Sequence, residues 1–305
     1  MVSQPVSTLE VTRLNKVFYT AAGQPVEALK ECSISLKAGQ VYSLLGPVRA
    51  GKTTLLQLLA GMQIPTSGAI FPASLTLSVL IDEFSKFYRL DELLPAEQLL
   101  QQTADENGQV NEEQLAEVVE GLGLTGRSIM PLRHLNSLER LLLNLALDYL
   151  KGANLFLLDE PLYEASSDSI QAMKKAFTWM TQRGKTVVLA TRQPKQALAV
   201  GHEVIFLFEG RLVARQKVNE VLARLEEAAT YTIRVKGRLD TRRWSDWFDG
   251  LDIISESSET ILSGQVPDQA ALQGVLTKVH DLGLSLLSLE KAEPDIERLL
   301  LSLNR

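Results

Sequence analysis

Gly46-Pro47-Val48-Arg49-Ala50-Gly51-Lys52-Thr53 decides the fold. Eight residues in the pattern G-x-x-x-x-G-K-T, with the apolar run Val41–Leu45 before them and the helix-periodic TTLLQLLAGM after them, read as a phosphate-binding loop between a buried strand and a helix. The residue types suit the task. Glycines at Gly46 and Gly51 let backbone N–H groups curl around phosphates, and the helix start adds the positive end of its dipole. Lys52 would reach the terminal phosphates, and the Thr53 hydroxyl would ligate Mg²⁺.

Outward from the loop, Asn154–Pro161 (NLFLLDEP) and Thr186–Thr191 (TVVLAT) read as further buried strands. Val204–Gln216 reads as a hairpin turning at Glu209-Gly210. Alternation of short apolar runs with helical patterns marks an α/β domain. Residues from about 84 to 149 differ. They are mostly helical, with a polar break at TADENGQVNEEQ, and read as a helical insertion. Asp159, at the end of a buried strand, is placed to hold the Mg²⁺ shell, and Glu160 to orient or deprotonate an attacking water. Gly121-Leu122-Gly123-Leu124-Thr125-Gly126 fits a dinucleotide pattern, but it follows the helical run EEQLAEVVE and not a strand; it reads as a helix end and loop.

Beyond LARLEEAAT the composition shifts. YTIRVKG, LDIISES, TILSGQV and SLLSLEK read as strands, and TRRWSDWF, DQAALQGVLTKVHDLG and DIERLLLSL as helices. That order suits a small split-βαβ, ferredoxin-like domain over residues 228–305 after a nucleotide-binding domain over 1–227. Leu272, Val275, Leu276 and Val279 share one face of the middle helix, and Trp244 and Trp247 read as packing residues.

The remaining numbers set boundaries. The 305 residues carry 31 Lys+Arg against 37 Asp+Glu, an acidic balance that lacks the footprint of a nucleic-acid binder. A lone cysteine, Cys32, requires no oxidising compartment. The three histidines are too scattered for a zinc site. MVSQPVSTLEV lacks the parts of a secretory signal, and charged and amide residues interrupt the apolar ERLLLNLALDYLKG. The chain thus reads as soluble and cytosolic.

From LNKVFY through GPVRAGKTTLLQLLAGMQIPTSG, LNSLER, LFLLDEP and VVLATRQPKQAL, residues of about 8 to 225 resemble the ATP-binding subunit of ABC transporters. The tail resembles the accessory domain of drug-resistance-type bacterial exporters. The resemblance implies that Phe18 or Tyr19 stacks on adenine, that Gly46, Arg49, Gly51, Lys52, Thr53 and Thr54 hold the phosphates, and that Thr53, Asp82 and Asp159 hold Mg²⁺. It also implies a head-to-tail dimer with two sandwiched ATP molecules, bound to membrane-spanning permease subunits on the inner face of the plasma membrane. Asn136 and Ser137 would face the partner's nucleotide.

Departures from that family's pattern are informative. Its LSGGQ signature is Leu135-Asn136-Ser137-Leu138-Glu139 here, its switch histidine is Arg192, and its SALD-type loop is Tyr163-Glu164-Ala165-Ser166. Its Mg²⁺-sensing glutamine becomes Asp82, or Glu83 in a looser alignment. Arg49 stands where the family has glycine. Arginine has no acceptor lone pair, so Arg192 cannot relay a proton as histidine can, although it could neutralise a phosphate. The expectation is an exporter subunit that binds ATP, hydrolyses it poorly and pairs with a competent second ATPase subunit. The alternatives are a slow but ordinary ATPase homodimer, a non-transport member of the family, and a scaffold without nucleotide.

Overall fold

The computed structural model describes residues 9–71, 76–80, 93–108, 110–161, 163, 165–227, 230–239, 247–248, 251–256, 258–266 and 268–292. The chain divides into two compact units, Met1–Val218 and Asn219–Arg305.

In the first unit a six-stranded sheet forms the middle layer. Its strands are β3 (Val41–Leu45), β5 (Leu77–Leu80), β6 (Leu155–Asp159), β7 (Thr186–Thr191), β8 (Glu203–Phe208) and β9 (Arg211–Lys217), in the order β5-β6-β7-β3-β8-β9. All neighbours are parallel except the β8–β9 hairpin. That hairpin turns through Glu209 at φ 46° and Gly210 at φ 77°, both left-handed. Two successive positive-φ residues give a turn whose twist matches the strands it joins.

Continuous apolar strands are expected where both faces are covered. In β6, Leu155 and Leu157 join one core and Phe156 and Leu158 the other, as the two-residue side-chain period requires. The first core lies against α1 (Lys52–Leu59) and a three-stranded antiparallel sheet, ordered β2-β1-β4, of β1 (Leu9–Tyr19), β2 (Pro25–Leu36) and β4 (Ser67–Phe71). On the opposite face are α2 (Ala96–Asn107), α3 (Glu112–Gly121), α4 (Ser137–Leu150), α5 (Ser167–Gln182) and α6 (Pro194–Val200).

The insertion is helical where it is described, but its break is shorter than the sequence suggests. Helix α2 runs through TADEN to Asn107, with Thr103 and Ala104 buried, and stops at Gly108 in the left-handed conformation. Burial of two small side chains outweighs the polarity of their neighbours; glycine, free of a Cβ, ends the helix. Asn111 then caps α3 through a reciprocal capping box with Gln114. Helix α3 ends inside GLGLTG, where Gly123 donates to the Glu120 carbonyl and Leu124 to that of Val119.

Helix α7 (Val218–Glu227) spans the division. The second unit is a four-stranded antiparallel sheet of β10 (Thr230–Lys236), β11 (Leu251–Glu256), β12 (Glu259–Gln265) and β13 (Ser285–Ala292), in the order β11-β12-β10-β13. Counted within the unit this is 2-3-1-4, the split-βαβ arrangement. Helix α8 (Gln269–Asp281), capped by Asp268, packs Leu272, Val275, Leu276 and Val279 onto Ile233, Val235 and Leu262. The helix expected over TRRWSDWF, Trp244 within it, and the closing DIERLLLSL lie outside the described residues, apart from Trp247 and Phe248. Phe248 is buried in this core, while Trp247 is partly exposed.

Candidate functional site

The phosphate loop joins β3 to α1 beside the ends of β6 and β7. Its two glycines are held there by close approach. A Cβ on Gly46 would stand 2.2 Å from the Leu207 carbonyl oxygen, and one on Gly51 2.5 Å from that of Ala28. Gly51 also has φ 104°, where a side chain is strained. Arg49 lies in the left-handed region at φ 65°, so the Cβ that the family pattern avoids is carried in a costly conformation. The loop leans on the β8–β9 turn, whose Gly210 N–H donates to the Ala50 carbonyl at 3.0 Å. Sequence reasoning missed Gly210 as a support; its only signal was the turn itself.

Helix α1 begins at Gly51 with no side-chain cap and no acidic residue in its first turn. Its leading N–H groups and positive dipole end therefore suit an anion. Lys52 is buried, and its ammonium donates to the carbonyls of Gly46 at 2.8 Å and Pro47 at 3.1 Å. It also pairs with Glu160 at 3.6 Å. Burial pulls the Lys52 pKa below its usual value, and the Glu160 and Asp159 carboxylates partly offset this.

Two motifs meet at Thr53, whose hydroxyl donates to Asp159 Oδ2 at 2.5 Å. Asp159 Oδ1 is buried without a hydrogen-bond partner. An orphaned carboxylate oxygen beside a hydroxyl fits a hard cation. Among the described residues no three His, Cys, Asp or Glu side chains gather to cage a metal. Mg²⁺ is commonly held by one or two protein ligands together with substrate phosphates. Thr53 and Asp159 would hold the ion, which would neutralise phosphate charge.

Glu160 follows β6 at φ 48°, a strained conformation for a side-chain-bearing residue. Its N–H donates to the Ala190 carbonyl at 2.9 Å. Arg192, just past β7, grips the carboxylate twice, through Nε at 3.3 Å from Oε1 and its backbone N–H at 3.2 Å from Oε2. Tyr163, which the sequence marks only as part of an altered loop, faces the Arg192 guanidinium at 5.1 Å from the ring centroid. The fold thus brings Lys52, Thr53, Asp159, Glu160 and Arg192 into one cluster.

Other expected residues sit apart. Phe18 and Tyr19 end β1, with Tyr19 73% exposed, and the Lys16 ammonium lies 4.9 Å from the Phe18 ring centroid. Thr54 is half-buried in the first turn of α1. Asn136 caps α4: its side chain accepts from the Glu139 N–H, and the Glu139 carboxylate accepts from the Asn136 N–H, both at 2.9 Å. Its Oδ1 is therefore committed to the helix. Ser137 is exposed in the first turn, and Leu138 packs against the helical core. Among the described residues no hydrogen bond or ion pair links Phe18, Tyr19, Asn136 or Ser137 to the Lys52 cluster. Asp82 and Glu83 lie outside the described residues, as does Glu164.

A strand–loop–helix phosphate site with a carboxylate pair at the end of a parallel strand two places along the sheet defines the first unit as a P-loop nucleotide-binding domain. Residues 29–163 match the ABC transporter family. An aliphatic sulfonates import ATP-binding protein of Pseudomonas syringae pv. tomato is 29% identical over 205 residues, spanning 67% of this chain and 74% of that protein. The taurine import ATP-binding protein of Pelagibacter ubique is 29% identical over 207 residues, 65% of this chain and 78% of that one. A solved chain from Clostridium perfringens, described as part of an ABC transporter complex, matches with a TM-score of 0.59 at 22% identity, covering 70% of this chain and 90% of its own. The first unit carries an ABC-transporter nucleotide-binding domain and is similar to ABC-type ATP-binding subunits. Residues 230–290 match a family described as a domain of unknown function, DUF8691.

Proposed function

We propose that this subunit grips Mg·ATP in its own phosphate loop, hydrolyses it poorly, and works beside a second, competent ATPase subunit on membrane-spanning permeases. The observation that carries the reading is a split. Thr53 and Asp159 meet beside an orphaned carboxylate oxygen, while the signature position holds Leu138 and the switch position Arg192. In a head-to-tail pair, this phosphate loop would face the partner's intact signature, and Asn136–Glu139 would face the partner's nucleotide. The composite site that Asn136–Glu139 completes would lack the signature's glycines, while this loop's own site would meet an intact signature but keep Arg192 beside Glu160.

Permease docking is assigned to the helical insertion. There a cleft of about 500 Å³ is lined by Leu100, Leu115, Ala116 and Val119, with Glu97 and Glu112 among its acidic residues. Among the described residues no helix is long and apolar enough to cross a membrane, which fits a subunit held at the cytoplasmic face through partners. The export class suggested by the tail finds no support among the matched relatives, which are named as importers of sulfonates, thiamine and taurine.

Equilibrium binding of a fluorescent ATP analogue and phosphate release by the purified chain test the reading together. Binding with slow release is expected. Brisk Mg²⁺-dependent release, abolished by Glu160→Gln, would overturn the poor-hydrolysis part. Absence of binding in the parent and in Arg49→Gly would favour the scaffold.

A further inference from the structure

The geometry points to Arg192 as a latch on Glu160, a positioning residue that keeps the carboxylate from serving as a base while ATP is bound; this rests on the ATP-binding reading above. A carboxylate offers about four lone-pair sites. Here Oε1 faces both Lys52 Nζ at 3.6 Å and Arg192 Nε at 3.3 Å, and Oε2 accepts the Arg192 N–H at 3.2 Å. Before a water arrives, Oε2 is hydrogen-bonded and Oε1 is ion-paired with two cations.

The two cations differ in what a triphosphate does to them. Lys52 has three N–H donors, and the Gly46 and Pro47 carbonyls and Glu160 engage them. A bound phosphate competes directly for that ammonium and draws it from Glu160. Arg192, unlike Lys52, is held on Glu160 from two points, backbone and side chain. Its backbone N–H belongs to the β7 end, and its guanidinium lies against the Tyr163 ring on the turn that Glu160 itself begins. Tyr163 donates its N–H to the Glu160 carbonyl at 3.1 Å, so latch, ring and base form one local unit. ATP binding thus removes Lys52 from the carboxylate and leaves Arg192 in place.

Hydrolysis requires Glu160 to take a proton from water as the water oxygen bonds to the γ-phosphorus and the bond to the ADP oxygen breaks. A carboxylate held by Arg192 at both oxygens is not free to turn toward that water. The latch therefore blunts this chain's own site, independently of the signature residues that would act on the partner's nucleotide.

Full-length parent, Arg192→Gln, Arg192→Lys, Glu160→Gln and the Arg192→Gln/Glu160→Gln double variant test this, with ATP-analogue affinity and single-turnover phosphate release measured from pH 5.5 to 9. Arg192→Gln should raise the release rate at saturating ATP by about tenfold or more and change affinity by less than about threefold. Arg192→Lys, which keeps a cation, should stay slow, and the gain should vanish in the double variant. Equal affinity with unchanged or slower release in Arg192→Gln, or an equal gain in Arg192→Lys, would overturn the latch alone. Failure of the parent and of every variant to bind the analogue would overturn the ATP-binding reading and the latch with it.

Discussion

The phosphate loop and the start of α4 are both loop-to-helix junctions, yet they hold their shapes by different means. At the loop, backbone closeness dictates residue type: Gly46 and Gly51 press against the carbonyls of Leu207 and Ala28, and Gly51 sits at φ 104°. At α4 the helix start is secured by side chains, through the reciprocal bonds of Asn136 and Glu139. A junction built on packed backbone tolerates few substitutions. One built on a capping box keeps its geometry while the residues between the caps change. The capping box thus leaves Leu138 to pack against the helical core without disturbing the helix start.

The contrast can be broken most forcibly at Gly51. Gly51→Ala must strain a φ of 104° and force a methyl to 2.5 Å from a backbone oxygen. We expect a melting temperature lower by on the order of ten degrees, since each 1 kcal/mol shifts a domain of this size by about 2–4 °C. A melting temperature unchanged by the substitution would remove the packing explanation. Next comes Lys52→Ala, which removes a charge-assisted contact worth about 1.5–3 kcal/mol and should weaken ATP-analogue binding roughly 10- to 100-fold. Isothermal titration with Mg·ATP measures it, and an affinity within twofold of the parent would contradict the assignment.

On the capping side, Asn136→Ala should cost about 1 kcal/mol of stability by chemical denaturation and leave the isolated chain's ATP affinity unchanged. Loss of that affinity would mean that the two junctions are coupled within one chain. Arg49→Gly should yield a smaller gain, about 0.5 kcal/mol, because relief of the left-handed cost is offset by greater freedom of the unfolded chain. A denaturation midpoint that falls would show the guanidinium itself to be stabilising.

The last prediction concerns the same sheet from its other end. His202 Nδ1 accepts the Val41 N–H at 3.0 Å, and burial lowers its pKa from 6.5, with Glu203 opposing and Lys174 reinforcing the shift. A depressed histidine binds fewer protons folded than unfolded, so its contribution is present above about 6.5 and is lost as the pH falls below that value. Replacing it with Asn, which retains an acceptor, should flatten stability against pH in that window; an unchanged slope would count against the assignment.

Much of the six-stranded sheet was legible because strands buried on both faces read as unbroken apolar runs, and Glu209-Gly210 announced its hairpin. The small sheet was not. Its β1–β2 register slips between Val11 and Leu14 and again near Lys16, with Arg13 at φ 42° and Glu31 at φ 49°, so no clean alternation survives in LEVTRLNKVFY. In the site, Lys52, Thr53, Asp159 and Glu160 could be read from two motifs. That Arg192 grips Glu160, and that Tyr163 faces Arg192, depends on β6 lying beside β7, which local sequence does not encode. The extent of α2 was misjudged because burial, absent from the string of polar letters, kept TADEN helical.

Gly210 has a mechanical consequence. Its N–H is tied to Ala50 of the phosphate loop and its carbonyl to Lys30 on β2, the strand paired with the one that ends in Phe18 and Tyr19. One residue thus rivets three pieces of backbone together. A shift of the loop at Ala50 therefore loads the β8–β9 turn and β2 together.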